Sequence, residues 1–279
     1  MEEQLDFCCP ICGGTLSRRD HAAVCVKGHS FDVARQGYVH LLPSDKMHSK
    51  LPGDTKEMVA SRRRFLEGGY YGLFRETLCR LAGECAQALG SPEGEGLFLC
   101  DAGCGEGYYT GALAKALPQA RVCGFDISKL AVKAAAGKYK GISFGVASSF
   151  SIPLRTGQVQ ILTDVFSPLA EGEFARVVAP GGYFLYAVPG PRHLWGLKEI
   201  LYQEPYENPY RETQYEGFRF LKREAVRGEI RLPDGETAKD LFAMTPYYWK
   251  TGREGVARLE ERGGFQTEIA FDFLLYQKI

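Results

Sequence analysis

The chain has 279 residues, of which 45% are hydrophobic and 12% aromatic, enough for a packed core in one large domain or two smaller ones. Its 34 Lys and Arg residues balance its 34 Asp and Glu residues, so net charge alone does not steer the molecule toward a polyanion. No apolar run approaches the length that spans a bilayer, and the acidic residues 1–4 are unlike the start of a signal peptide. We therefore expect no membrane partner and a cytoplasmic location.

Four of the nine cysteines lie within the first 25 residues, in two short turns. A Cys-x-x-Cys turn directs two thiolates at one point, and a second turn can complete the tetrahedron of a structural zinc site. The predicted ligands are Cys9, Cys12, Cys25 and His29. A redox pair and a chance cluster are the alternatives, and Cys8 could replace Cys9 only by breaking the two-residue gap. So small a module buries little apolar surface, so we expect the metal to stabilise it.

The segment that follows the first turn is basic. Residues 18–64 hold ten Lys or Arg against five Asp or Glu, although the whole chain is neutral. A helix is predicted from an N-cap at Asp54 to residue 67, and it carries Arg62, Arg63 and Arg64. A solvated helix face explains three arginines equally well, but next to a metal site they favour contacts with phosphates.

A short apolar run that stops in closely spaced glycines predicts a strand, a tight turn and a helix. The glycines are Gly103, Gly105 and Gly107. They allow positive φ angles and a close approach of the backbone to a ligand. Glu106 in the loop would repel a pyrophosphate, whereas Asp126, at the end of the next predicted strand, can accept hydrogen bonds from both ribose hydroxyls. These residues suit an adenosine with a cationic amino-acid tail, and an ordinary strand-to-helix turn is the alternative.

Alternation of strands and helices continues along the chain and predicts a doubly wound, mostly parallel sheet. The predicted strands are 97–101, 121–126, 142–146, 159–165 and 183–188, and the predicted helices are 70–89, 108–117, 128–138 and 171–178. Two later segments, 218–230 and 266–277, have the pattern of antiparallel strands that complete such a sheet. Ligands bind at the carboxyl ends of the strands in these folds.

The glycine loop and Asp126 resemble those of class I S-adenosylmethionine-dependent methyltransferases. Other motifs follow one another along the whole chain: the first cysteine turn, segment 37–42, the arginine helix and segment 189–194. In this combination the chain resembles the zinc-ribbon-bearing guanine-N1 methyltransferases of bacterial 23S ribosomal RNA, the RlmA family. The pattern along the chain divides it into a zinc-binding module over 1–43, a linker and helical region over 44–96, and an α/β domain over 97–279, which the resemblance makes a methyltransferase domain.

The resemblance also implies the bound groups and the reaction. It places one structural zinc on the four ligands named above and contacts to S-adenosylmethionine on Tyr71, Gly105, Glu106 and His193. Ser148 occupies the position where Asp often reads the adenine amine, so this contact stays open. The expected reaction transfers a methyl group to N1 of a guanine in a hairpin of 23S ribosomal RNA. The sulfonium methyl is already activated, so catalysis needs alignment and the removal of one proton.

The sequence marks no general base, because Asp164, Glu106 and His193 all reach strand ends and each has another role as a ligand. Aromatic and basic residues between 202 and 249 can stack on splayed bases and hold phosphates, although many would serve the core. Two other functions stay open: a small-molecule methyltransferase with a structural zinc site, and a non-catalytic RNA-binding module. The intact glycine loop argues against a non-catalytic RNA-binding module. The basic segment 18–64 argues against a small-molecule methyltransferase. A homodimer is also left open.

Overall fold

The computed structural model describes residues 4–43, 52–90, 96–210 and 213–279, so part of the region assigned to 44–96 lies outside the described residues. A small antiparallel sheet opens the chain. Its strands, in spatial order, are β1 (Gln4–Cys8), β2 (Thr15–Arg19), β3 (Ala22–Cys25) and β4 (Ser30–Asp32). This sheet carries the predicted metal ligands, and we call it the zinc sheet.

A large mixed sheet forms the centre of the molecule. Its strands are β5 (Val39–His40), β6 (Phe98–Ala102), β7 (Arg121–Asp126), β8 (Ser143–Val146), β9 (Val159–Val165), β10 (Val178–Pro189), β11 (Phe218–Leu232) and β12 (Phe265–Lys278). Their spatial order is β11-β12-β10-β9-β6-β7-β8-β5. Strands β5 to β10 pair in parallel, and β12 runs antiparallel to β10 and β11. The predicted doubly wound, mostly parallel sheet is confirmed.

Nine α-helices lie in the described part of the chain. They are α1 (Lys56–Glu67), α2 (Gly72–Leu89), α3 (Tyr108–Ala116), α4 (Lys129–Lys138), α5 (Glu171–Val177), α6 (Trp195–Leu201), α7 (Gly235–Ala243), α8 (Tyr247–Lys250) and α9 (Arg253–Arg262). The predicted N-cap of α1 is wrong, because Thr55 and not Asp54 accepts the capping hydrogen bond, from the backbone N–H of Met58 at 3.2 Å. None of α6 to α9 was predicted. No helix among the described residues is both long and apolar enough to cross a membrane.

The two faces of the large sheet have different covers. On one face, sheet residues such as Leu99 and Leu185 share a buried cluster with Phe74 of α2. On the other face, Phe98 shares a buried cluster with Phe174 of α5 and with residues of the zinc sheet, including Leu16. The zinc sheet is therefore part of the hydrophobic core, and burial of this shared surface stabilises both parts.

Backbone pairing also joins the zinc sheet to the large sheet, which was not predicted. Strand β5 follows the zinc sheet and pairs in parallel with β8, and the N–H of Leu41 donates to the carbonyl of Val146 at 2.9 Å. The ring of Phe7 packs closely on Gly145. A Cβ added at Gly145 would lie 3.1 Å from the Phe7 ring. The segment assigned to the zinc-binding module thus contributes a strand to the large sheet.

Candidate functional site

The four predicted metal ligands converge at one end of the zinc sheet. The Sγ atoms of Cys12 and Cys25 are 3.8 Å apart, and Nδ1 of His29 lies 3.4 Å from Cys25 Sγ and 3.5 Å from Cys9 Sγ. All four donor atoms lie within 4.8 Å of one another. A tetrahedral zinc with Zn–S of about 2.3 Å and Zn–N of about 2.0 Å requires edges of about 3.8 Å and 3.5 Å. The donor set and its spacing fit one zinc ion.

Two backbone turns hold these ligands in place. The N–H of Cys9 donates to the carbonyl of Gly14 at 2.8 Å, and the N–H of Cys25 donates to the carbonyl of His29 at 3.0 Å. Burial opposes ionisation of the Cys25 thiol, but backbone N–H groups of His29 and Lys27 outweigh it and lower its pKa to about 6. A thiol that ionises readily is ready to bind a metal. Cys8 lies outside this cluster of donors.

The glycine loop connects β6 to α3, and its three glycines have different reasons to lack a side chain. All three have positive φ angles: +71° at Gly103, +54° at Gly105 and +84° at Gly107. A Cβ at Gly103 would lie 2.3 Å from Ser167 Cβ, and one at Gly107 would collide with α4. A Cβ at Gly105 would have Arg62 Nη1 as its nearest neighbour, at 4.0 Å. Gly105 therefore borders open space where a ligand can approach the backbone.

Asp126 lies beside this loop at the carboxyl end of β7, as predicted. Its Oδ2 accepts a hydrogen bond from the N–H of Gly105 at 2.9 Å, and its Oδ1 accepts one from the N–H of Ser128 at 2.7 Å. Burial raises the pKa of Asp126, and the two hydrogen bonds oppose that rise. Each carboxylate oxygen has a second lone pair, so the group can still accept hydrogen bonds from two hydroxyls.

Glu106 is buried at the turn of the glycine loop. Burial raises the pKa of its carboxyl, while the positive charges of Lys138 and Arg62 lower it. Arg62 reaches the loop from α1, where it pairs with Asp54, so α1 covers this part of the sheet edge. A buried carboxyl at this place favours a cationic ligand over a phosphate.

Tyr71 and His193 are 122 residues apart in sequence and touch at the site. The Oη of Tyr71 lies 3.3 Å from Nε2 of His193, and Phe271 packs against both rings. The N–H of Ala270 donates to Nδ1 of His193 at 3.2 Å, so the ring proton is on Nε2 and is donated to Tyr71. Burial lowers the pKa of His193 to about 3. The imidazole is neutral and has no free lone pair, which excludes His193 as the general base.

Comparison with known proteins agrees with this arrangement. The RlmA N-terminal zinc-ribbon model matches residues 7–50, and a methyltransferase domain model matches residues 93–215. The 23S rRNA (guanine(748)-N(1))-methyltransferase of Streptomyces fradiae is 33% identical over 255 residues, which cover 90% of this chain and 88% of the relative. The chain belongs to the RlmA family. Its zinc ribbon holds one structural zinc, and its methyltransferase domain uses S-adenosylmethionine.

Two further proteins are similar to this RlmA-family chain. A Micromonospora griseorubida protein, named as a candidate 23S rRNA (guanine-N1)-methyltransferase, is 36% identical over 69% of this chain and 68% of its own length. A solved structure from Anaeromyxobacter dehalogenans is named as a candidate type II methyltransferase. The region in which it is similar to this chain includes 71% of this chain and 94% of the solved one. The identity is 18% and the TM-score 0.45.

Asp164 is the penultimate residue of β9, near the glycine loop, and it is fully buried. Its Oδ1 accepts a hydrogen bond from the N–H of Ser167 at 3.1 Å, while Oδ2 has no hydrogen-bond partner among the described residues. Burial raises the pKa of Asp164 to about 7, against the lowering effect of the Ser167 contacts. Because the residue has no exposed surface, Asp164 cannot touch a bound nucleobase in this conformation.

Three exposed apolar side chains at the same edge were missed by sequence reasoning. They are Ile127 after β7, Phe150 after β8 and Phe166 after β9, with exposed fractions of 39%, 67% and 42%. Apolar side chains left open around a ligand-binding edge indicate surfaces that a ligand covers. The available signal was an apolar residue directly after a strand end, as Ile127 follows Asp126. Ser148 lies in the same loop as Phe150, and its Oγ accepts from the N–H of Phe150 at 3.2 Å.

Each arginine of the arginine helix pairs with a carboxylate, and the predicted phosphate contacts stay a prediction. Arg62 pairs with Asp54 at the start of the helical region. Within α1, Arg63 Nε donates to Glu67 at 2.9 Å, and Arg64 Nε donates to Asp240 of α7 at 2.8 Å. Arg62 and Arg64 thus tie α1 to residues outside the helix, whereas the Arg63 pair lies within it.

Proposed function

We propose that this protein transfers a methyl group from S-adenosylmethionine to N1 of a guanine in a hairpin of 23S ribosomal RNA. The proposal is carried by one observation: an RlmA zinc ribbon with a complete ligand set is packed onto a sheet whose carboxyl edge has the glycine loop beside Asp126. The match to relatives named for this reaction, over 90% of the chain in one case, supports it.

The cofactor would lie across the carboxyl ends of β6 and β7. Its proposed contacts are Tyr71, Gly103, Gly105, Glu106, Asp126 and His193. Asp126 would accept hydrogen bonds from the ribose hydroxyls, and Gly105 would let the backbone approach the amino-acid tail. Glu106 would balance the positive charge of that tail. We add Ile127 and Phe150 as apolar contacts for the adenine, because both are exposed next to this position.

Tyr71 and His193 would act together at the other end of the cofactor. The Tyr71 oxygen accepts from His193, so its hydroxyl proton can be donated to the cofactor carboxylate. Burial raises the pKa of Tyr71, which keeps that proton in place at all physiological pH values. Besides its proposed contact with the cofactor, His193 would fix the direction of the Tyr71 hydroxyl.

The bound cofactor supplies an activated methyl group, so the protein's task is to align N1 of the guanine with it. The loop that follows β9 abuts the glycine loop through Ser167 and Gly103, which brings it to the place where the base must arrive. His193 cannot take the N1 proton, since both of its ring nitrogens are engaged.

Primer extension on 23S ribosomal RNA tests the proposal. A methyl on N1 blocks the Watson–Crick edge and stops reverse transcriptase, whereas a methyl on N7 or on a 2′-hydroxyl does not. We expect one new stop, at a guanine in a hairpin, that requires both enzyme and cofactor. Gly105→Val should remove the stop, because the side chain would fill the open space beside the loop. Methyl transfer to a metabolite or to another atom, with no stop, would show that the proposed reaction is wrong.

A further inference from the structure

We propose that the exposed face of Phe166 is the platform on which the target guanine stacks. The proposal rests on the proposed function and adds the residue that holds the base. Phe166 is the first residue after β9, at the carboxyl edge of the sheet. Its exposed fraction of 42% is high for a phenylalanine that already contacts a buried aromatic cluster.

The backbone of Phe166 has a conformation that a phenylalanine rarely adopts. Its φ angle is +56°, in the left-handed region that is unfavourable for residues with a Cβ. Neighbouring hydrogen bonds keep it there: its N–H donates to Ala187 at 3.2 Å, and Ser167 is held by Asp164 and by the carbonyl of Ala102. Such an outlier persists when its surroundings over-determine it, and these outliers cluster at functional sites.

The strained turn packs part of the ring against the protein, while 42% of the residue stays open to solvent. Phe74 and His193 lie on the protein side, with ring centroids 5.3 Å and 6.3 Å from Phe166 and interplanar angles of 33° and 26°. An aromatic ring fixed in this way is a rigid surface that loses little entropy when a base stacks on it.

The position of Phe166 matches the geometry that the reaction needs. Ser167, its neighbour, touches Gly103 of the glycine loop, and His193 is one of the proposed cofactor contacts. The platform thus lies at the carboxyl end of β9, next to the β6 side of the cofactor pocket. A guanine that is splayed out of a hairpin and stacked there would have its N1 edge beside the methyl group. No base-specific hydrogen bond is required for this step, because every base has a stacking face.

Two substitutions separate stacking from simple space filling. Phe166→Leu keeps an apolar side chain and the same backbone strain but removes the aromatic face, whereas Phe166→Tyr keeps the ring. We would measure three quantities for the full-length zinc-loaded protein: S-adenosylmethionine affinity by calorimetry, affinity for the 23S hairpin, and the single-turnover rate of N1 methylation. Thermal unfolding would establish that each variant is folded.

We expect Phe166→Leu to slow single-turnover methylation about 10- to 100-fold and to leave the cofactor affinity within about twofold of the wild-type value. Phe166→Tyr should restore the rate to within a few-fold. Equal rates for the Leu variant and the wild type would overturn the platform, and so would a matching loss of cofactor affinity, which would make Phe166 a cofactor contact. A wild-type protein that leaves the hairpin unmethylated would instead overturn the proposed function, and the platform with it.

Discussion

The buried carboxyl of Asp164 contributes to the pH dependence of the protein's stability. Asp164 has one oxygen with a hydrogen-bond donor and one without a partner among the described residues, and burial raises its pKa to about 7. In the unfolded chain the same carboxyl has a pKa of about 3.9. Between these values the folded state binds more protons than the unfolded state. The free energy of unfolding contributed by this group therefore falls as pH rises from about 4 to about 7.

Asp164→Asn tests this conclusion, because the amide keeps the acceptor for Ser167 and cannot ionise. Relative to the wild type, we expect the variant to gain about 2–4 kcal/mol in its free energy of unfolding between pH 4 and pH 8. Denaturant unfolding at several pH values measures the change. The offset at pH 4 contains any penalty for the added NH₂ group, so the slope with pH is the quantity to compare. A constant difference across this range would contradict the raised pKa.

At the scale of elements, α1 shows how an interpretation from local sequence can miss distant partners. Three consecutive arginines on a predicted helix favoured phosphate binding, but Arg64 pairs with Asp240, which is 176 residues away. Arg62 likewise pairs with Asp54 and lies 4.0 Å from the Cβ position of Gly105. The charge of this helix is thus used within the fold, next to the cofactor site.

The salt dependence of RNA affinity distinguishes arginines that pair with carboxylates of the protein from arginines that bind RNA phosphates. Replacing Arg62, Arg63 and Arg64 together by Ala should leave the slope of log RNA affinity against log salt nearly unchanged, because their charges are already paired. If all three held phosphates, the slope would flatten by about 2, at roughly 0.7–0.9 for each lost contact. Arg63→Ala is the matched control, since its pair with Glu67 is exposed and lies within α1. Flattening by two or more would show that the guanidinium groups leave their carboxylates for RNA.

Much of the fold was predictable from the sequence because the signals are local. The bounds of β7 and β9 were predicted at residues 121–126 and 159–165, where buried parallel strands form continuous apolar runs. The pairing of β5 with β8 was missed because a two-residue strand carries no periodicity that would indicate its partner. The short helices α6 to α8 were also missed. The aromatic residues between 202 and 249 were interpreted as base-stacking or core side chains, and not as parts of helices.

In the candidate site, too, the residues with a local sequence signal were predictable, and those brought together by the tertiary fold were not. The zinc ligands follow from spacing within 21 residues, and the glycine loop with Asp126 follows from one strand–helix–strand unit. The contact between Tyr71 and His193 joins residues from distant elements, so only the family resemblance pointed to them. The positive φ of Phe166 depends on tertiary hydrogen bonds and has no signal in its own residue type.

At the scale of the whole molecule, the zinc sheet and the large sheet share one hydrophobic core. Phe7, Leu16 and Phe98 belong to the same buried cluster, and the N–H of Cys8 donates to the carbonyl of Pro153 at 2.8 Å. Unfolding the zinc sheet would therefore expose one face of the large sheet as well. The metal stabilises more than the few residues that bind it.

Metal removal tests this coupling. Elemental analysis should find one zinc per chain, and Cys12→Ala or a strong chelator should lower the unfolding temperature of the entire protein. Each kcal/mol of lost stability lowers it by about 2–4 °C in a protein of this size, so a decrease of roughly 10 °C is expected. Calorimetry should show a single transition before and after the loss. Two separate transitions, of which only the smaller one moves, would mean that the two sheets unfold independently.

Strand β5 also protects the large sheet from pairing with strands of other molecules. Without its two residues, β8 would be an open edge, with N–H and C=O groups ready to pair with a strand of another chain. Val39 and His40 cover that edge and are too short to offer a new one. At the opposite edge, β11 alternates partly buried residues with exposed charged ones, which discourages pairing in another way. Displacement of β5 would therefore expose an edge on which a strand of another chain can pair.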